Sequence, residues 1–453
     1  MTVQTPTRID IDAVIAPFVH RLDTKKIALE GALLPRSAAV LAEALPAGRW
    51  LLVADAITWA VAGAAVEASL QAAGIDSARY FVEPAPGEAV PVADDAKVEA
   101  LAGYLRQGGG FVAVVAVGAG TINDIAKMAT FQVGLPYAIV VTAPSMNGYT
   151  SAIAALLSQG VKVTLPCHAP VACLADLEVV AQAPYRMIAS GYGDLLSKPV
   201  SNADWRLGAR LLDAEYSPET ILLVEKGFTF LEGVAPRLLA REPEAIGRLM
   251  ATLCISGMAM AVAGSSSPAS GGEHLISHYI DMTHFAFGEP HDFHGCQVGV
   301  GTITTAALYE KLMALDPDEI DVEAIVAAHE GVDAYEARTR ARFGALSEAV
   351  VPHMRRIYPD AATLRARLER LKAEWSDIMR DVGATLRPAA VIRQDLLDAG
   401  CPVRYAEISV TPARAARAVL YSKDIRARYS ILHLAGELGL LERWWGELEQ
   451  GLL

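Results

Sequence analysis

The chain has 453 residues, 53% hydrophobic and 20% charged, which is too long for one ordinary core and too apolar for extended disorder, so two or three packed domains are expected. Its formal charge is −13, from 39 Lys and Arg against 52 Asp and Glu. Such a surface repels phosphate backbones and anionic lipid, which argues against nucleic acid and membranes as partners. A phosphorylated small molecule would need a local cation.

The opening stretch, MTVQTPTRIDIDAVIAPF, lacks the cationic start and apolar run of a secretory leader. From about residue 48 to 182, short β-rich runs alternate with helical patterns. The runs are WLLVA at 50–54, FVAVVAV at 111–117, YAIVVT at 137–142 and VKVTLP at 161–166. TWAVAGAAVEASLQAAG and DDAKVEALAGYLRQGGG carry the helical spacing between them. Apolar strands joined by helices predict a parallel sheet covered on both faces. After Pro184 the strands stop, and SGYGDLLSKPVSNADWRLGARLL, EAIGRLMATLCISGMAMAVAG and CQVGVGTITTAALYEKLMAL all show helical periodicity. The chain therefore reads as an α/β nucleotide-binding domain over 1–183 and an all-helical domain over 184–453. Two uncharged stretches, 128–161 and 249–272, are broken by prolines, glycines or serines and read as buried core instead of bilayer spans. Five cysteines with no CxxC pair suit free thiols in a reducing compartment, so a cytoplasmic protein is expected.

FVAVVAV runs directly into GAGTINDIAK, 118–127. Glycines after a parallel strand let a ligand approach the backbone, and the following helix offers unpaired N–H groups and a positive dipole end to a pyrophosphate. The pattern is GxGxxN, so the GxGxxG fingerprint is met only in part. Asp55, after WLLVA, suits a ribose hydroxyl and equally suits the N-cap of the next helix. YAIVVT ends in APSMNGYTS, a polar loop at the carboxyl end of a strand, where doubly wound sheets bind ligands.

Histidine occurs 10 times in the chain, yet five fall within 274–294: His274, His278, His284, His291 and His294. The first two lie four apart and so share a helix face. EHxxxH is not the HExxH of zinc proteases. A catalytic divalent metal takes about three protein ligands and keeps an open position. Asp194, an acid on an otherwise apolar helical stretch, is the best candidate for a carboxylate ligand.

In order, GAGTINDIAK, TAPSMNGYTS, GDLLSK with ADW, GEHLISH and FHGCQVGVG resemble the sn-glycerol-1-phosphate dehydrogenases, within the dehydroquinate synthase-like and metal-dependent polyol dehydrogenase superfamily. The likeness covers residues 48–310, and RARYSILHLAGELGLL looks like the helical tail of bacterial-type members. The resemblance implies that Asp194, His274 and His294 hold a divalent metal, usually zinc, with nickel or iron in relatives. It implies that Gly118, Ala119, Gly120, Thr121 and Ile122, with Thr142, Ser145 and Ser151, hold NAD or NADP. His278 and Asn147 would contact substrate. Iron-binding relatives carry a histidine four residues after the aspartate; here Lys198 stands there, leaving a cation for a substrate phosphate. Several members have aspartate where this chain has Asn147, which can hydrogen-bond a hydroxyl but cannot act as a base. The expected reaction is hydride transfer between NAD(P)H and dihydroxyacetone phosphate. Alternatives are a dehydroquinate synthase-type cyclase that uses NAD transiently, and a binding protein without turnover. A homo-oligomer is expected from the lightly charged helical half.

Overall fold

The computed structural model describes residues 7–158 and 161–453. Residues 1–6, where the stretch read against a leader begins, and 159–160 lie outside the described residues. Six strands form one parallel sheet: β1 (Lys26–Glu30), β2 (Arg49–Ala54), β3 (Ser77–Phe81), β4 (Phe111–Gly118), β5 (Tyr137–Val141) and β8 (Ala172–Asp176), in the order β1-β8-β5-β4-β2-β3. The inner strands β5 and β8 are buried at every position, as continuous apolar runs covered on both faces must be. Side chains two apart share a face, so Leu52, Ala54, Val115, Val117, Val140 and Leu174 form one core with Leu41, Val66 and Leu70 from covering helices.

VKVTLP does form a strand, β7 (Val161–Pro166), but it is not part of this sheet. It pairs antiparallel with β6 (Ile153–Ser158) in a two-stranded ribbon. Its Lys162 and Thr164 interrupt the apolar run every second residue, the pattern of a half-solvated strand and not of a buried parallel one. The sheet's place in the row is taken by ACLAD of β8.

The predicted helices are present. α1 (Ala64–Ala72) is preceded by a π turn at Trp59–Gly63, and α2 (Asp95–Arg106) is capped by Asp94, whose side chain accepts from Lys97 N–H at 2.8 Å. α3 (Gly120–Val133) follows β4 and stops at Gly134, whose φ of +70° is the left-handed conformation glycine adopts without strain. Further on come α4 (Tyr185–Leu196), α5 (Lys198–Leu212), α6 (Pro243–Ala263), α7 (Gly272–Phe287) and α8 (His294–Met313).

The boundary expected at 183/184 falls elsewhere, and more than once. Residues 1–195 and 219–266 form one compact unit, 196–218 and 267–453 the other. α6 joins the first unit because it packs against the sheet side: Gly247 meets Ile9 and Leu177, Thr150 Oγ1 donates to the Cys254 carbonyl at 2.6 Å, and Arg21 Nη2 donates to the Val262 carbonyl at 2.7 Å. Among the described residues, α6 is the one helix long and apolar enough to cross a membrane, and 89% of its apolar window is buried inside the protein. Helices are the regular elements of the second unit, which holds no strand among its described residues. None of the five cysteines is in a disulfide, and Cys173 and Cys254 place their sulfurs 3.8 Å apart in the first unit.

Asp176 closes β8 and ties the sheet to the 33–34 turn. Its Oδ2 accepts from Leu33 N–H at 2.7 Å and Leu34 N–H at 3.0 Å, and its Oδ1 from Glu178 N–H at 3.1 Å. Asp176→Ala strands two buried donors and should cost roughly 2–4 kcal/mol of stability in urea unfolding; a change under about 0.5 kcal/mol would contradict this role.

Candidate active site

The turn between β4 and α3 is built for close approach. A Cβ on Gly118 would stand 2.6 Å from the Cβ of Ile122, so only glycine fits there. Ala119 is the N-cap residue and has no side chain to cap with. The N–H groups of Gly120, Thr121 and Ile122 therefore have no intrahelical partner and face outward from a 14-residue helix. Thr142 N–H donates to the Gly118 carbonyl at 3.1 Å, joining this turn to the end of β5. Asp55 ends β2, the neighbour of β4. It caps the next helix: Oδ1 accepts from Thr58 N–H at 2.7 Å, and its own N–H donates to Thr58 Oγ1 at 3.1 Å.

The loop after β5 holds Asp194 in place. Asn147 gives two hydrogen bonds to that carboxylate, its backbone N–H to Oδ2 at 2.9 Å and its amide Nδ2 to Oδ1 at 3.0 Å. The carboxylate can only accept, so the amide must turn its nitrogen inward. α4 docks on the same loop one turn earlier. Ser190 Oγ donates to the Ser145 carbonyl at 2.9 Å, and a Cβ on Gly191 would overlap the Pro144 carbonyl oxygen. Ser190, Gly191 and Asp194 thus form one face of α4, which explains the glycine in SGYGD. Ser145 Oγ donates to the Tyr149 hydroxyl at 3.1 Å, which in turn donates to the Ala143 carbonyl at 2.6 Å. Ser151 Oγ lies 2.9 Å from the Gly148 carbonyl and 3.0 Å from that of Ile153. Asp194 is completely buried, two residues before the chain passes into the second unit at Leu196.

In the second unit the five histidines divide. His274, His278 and His294 form a mutual group, with ring centroids 5.2 Å apart for His274–His294, 5.4 Å for His278–His294 and 6.1 Å for His274–His278. His284 and His291 instead stack on each other, 3.7 Å apart, with Nδ1 of each against the Glu289 carbonyl and Asp281 respectively. Two rings of the first group are oriented through Nδ1: Glu273 Oε1 lies 2.8 Å from His274 Nδ1, and Ser277 Oγ lies 3.0 Å from His294 Nδ1. Such partners fix the tautomer and the orientation of each ring. A carboxylate held at both oxygens, as Asp194 is, and imidazoles oriented through Nδ1, as His274 and His294 are, are donors of the kind that a divalent ion of the zinc or iron type takes. Within the second unit, the donor atoms of His278, Asp281 and His294 lie within 4.8 Å of one another. There, Asp281 Oδ1 already accepts from Gln297 Nε2 at 3.0 Å and faces His291.

Lys198 opens α5 and is fully buried, with Nζ donating to Ser197 Oγ at 2.9 Å and to the Ala269 carbonyl at 3.0 Å. Asp204, from the ADW motif, supports the start of α7 by accepting from Gly272 N–H at 2.7 Å. Burial first and the Glu273 carboxylate second push the Asp204 carboxyl up to about 7. Sequence reasoning assigned no role to Glu273, Ser277, Ser190, Gly191 or Asp204. Only Glu273 carried a local signal, an acid directly before a candidate ligand.

A family profile described as iron-containing alcohol dehydrogenase matches residues 29–184. The chain is 37% identical over 260 residues to an NAD(P)-linked glycerol-1-phosphate dehydrogenase of Halalkalibacterium halodurans, spanning 57% of this chain and 64% of that protein. It is 31% identical over 329 residues to the enzyme of the same name from Bacillus licheniformis, spanning 72% of this chain and 69% of that one. A crystal structure of glycerol dehydrogenase from Schizosaccharomyces pombe superposes with a TM-score of 0.60 at 16% identity, covering 94% of this chain and 91% of that one. The superposition defines the fold class, a parallel-sheet unit with a helical one, and the profile match lies on the sheet-bearing unit. Within that class the chain belongs to the glycerol-1-phosphate dehydrogenase family.

Gly191→Ala forces the Asp194 helix away from the 143–147 loop. It should cost about 1–3 kcal/mol in urea unfolding, with weakened divalent-metal binding by calorimetry. Wild-type stability and metal affinity in this variant would contradict the docking described.

Proposed function

We propose that the protein interconverts dihydroxyacetone phosphate and sn-glycerol 1-phosphate with NAD(P)H, as the names of its relatives suggest. The observation that carries this reading is a carboxylate held at both oxygens by Asn147 and two imidazoles oriented through Nδ1 by Glu273 and Ser277. Asp194, His274 and His294 would hold the metal, zinc in our reading, with nickel or iron as alternatives. When bound, the ion supplies Lewis acidity to the ketone oxygen, and the nicotinamide supplies or takes the hydride at the substrate's middle carbon.

The residues of the chain do the rest. Gly118, Ala119, Gly120, Thr121 and Ile122 bind the cofactor's phosphates through backbone N–H groups. Thr142, Ser145 and Ser151 line the adjoining loop against it. Asp55 takes the ribose with the carboxylate oxygen not used in capping, which favours NAD, since an acid there repels a 2′-phosphate. His278, one turn on from His274, delivers or takes the proton at the substrate's C2 oxygen. Asn147 cannot do so. Its amide nitrogen is committed to Asp194, which leaves its carbonyl oxygen to accept from a substrate hydroxyl. Lys198, its ammonium fixed by Ser197 and Ala269, supplies the cation for the substrate phosphate. We place the protein in the cytoplasm as a homo-oligomer; five cysteines outside any disulfide support the compartment.

NADH absorbance with dihydroxyacetone phosphate tests the reading. Steady NADH consumption is expected from wild type, and none from Asp194→Ala, which should also lose its metal in elemental analysis. Full activity of Asp194→Ala refutes the ligand assignment. A wild type that turns over its substrate without net NADH consumption supports a cyclase instead.

A further inference from the structure

The helix that starts at the cofactor turn carries two charged residues with no part in the chemistry above. Asp124 and Lys127 stand three apart in DIAK, on one face of α3. Lys127 is wholly buried, and its ammonium donates to the Gly148 carbonyl at 2.6 Å, the Ile153 carbonyl at 2.9 Å and Ser151 Oγ at 3.2 Å. Three N–H groups meet three acceptors, so the charge is satisfied by one short backbone segment. Asp124 grips the next part of that segment. Its Oδ2 accepts from Ala155 N–H at 3.1 Å, its Oδ1 accepts from Asn123 Nδ2 at 2.9 Å, and it lies 3.8 Å from the lysine ammonium. Burial pushes the lysine down and the aspartate up from their ordinary values, the expected effect of removing both from water. An ammonium is costly to bury, and an apolar side chain of similar length would fill this space more cheaply. Its retention therefore points to what it holds.

What it holds is the peptide next to Asn147, the residue that grips Asp194 at two points. We propose that Lys127 is a positioning residue: by gripping the 148–153 backbone it sets the angle at which Asn147 presents its two N–H groups to Asp194, and thereby the geometry of the metal-binding carboxylate. The inference rests on the metal assignment above. It also means that the helix presenting the cofactor turn aligns the metal ligand as well.

The test is Zn2+ affinity, by competition with a chromophoric chelator, for full-length metal-free wild type, Lys127→Met, Asn147→Ala and the double variant. Each single variant should bind Zn2+ about ten-fold or more weakly, the usual effect of losing a ligand-orienting group. The double variant should be no weaker than the worse single one, because both act through one clamp. Lys127→Met binding as tightly as wild type, or losses that multiply in the double variant, would overturn the proposal and leave the metal assignment standing. A wild type that binds no Zn2+ overturns both. If Lys127→Met does not fold by circular dichroism, Lys127→Gln, with two N–H donors on a shorter stem, replaces it in the same comparison.

Discussion

A buried carboxylate held at both oxygens by one asparagine is the constraint on which the rest depends. Asp194 has no exposed surface, and an ionised carboxylate removed from water is tolerated only when hydrogen-bonded or paired. Asn147 provides two of those bonds in a fixed geometry, one from its backbone and one from its side chain. With both oxygens oriented, the remaining lone pairs point in defined directions, which a metal ligand requires. The amide suits this better than an aspartate would. A second carboxylate at 147 would face the first with no side-chain N–H to offer. The amide at 147 thus has a physical role in the carboxylate's support.

That clamp is itself assembled from backbone approaches that only small residues allow. Gly191 lets the Pro144 carbonyl meet α4, and a Cβ on Gly257 of α6 would lie 2.8 Å from the Asn147 carbonyl. Thr150 fastens the same loop to α6 through the Cys254 carbonyl. The second unit supports its histidines in a parallel way, with Glu273 and Ser277 on α7 orienting His274 and His294. A Cβ on Gly301 of α8 would stand 2.8 Å from the Glu273 carbonyl, so these two helices lie close where the ligands sit. Asp194 and His294 are positioned by groups distant in sequence and His274 by its own neighbour, and glycines set how near the elements come.

Much of this was legible in the residues, and the limits have physical causes. β2, β4 and β5 were readable because inner parallel strands are unbroken apolar runs. β1 and β3 were not, because charged residues at Lys26, Glu30 and Arg79 break their apolar runs. VKVTLP misled because β-propensity does not say which sheet a strand joins; its alternating Lys162 and Thr164 were the available clue. The domain division was illegible for a similar reason: α6 is periodic and apolar, but nothing local says which core receives it. At the site, helical spacing put His274 and His278 on one face, and an acid in an apolar helix marked Asp194. The choice of His294 over His284 and His291 needed the family likeness, since all three are near in sequence. Residues that orient others, such as Lys127, Ser277 and Gly191, have meaning only once their partners are known.

Anomalous diffraction at the zinc edge, from crystals of the zinc-loaded protein, addresses the central claim most directly. One peak is expected, bonded to the Asp194 carboxylate and to ring nitrogens of His274 and His294, with Asn147 still holding the carboxylate. A peak held by His278, Asp281 and His294 instead, or no peak among these residues, would contradict the account.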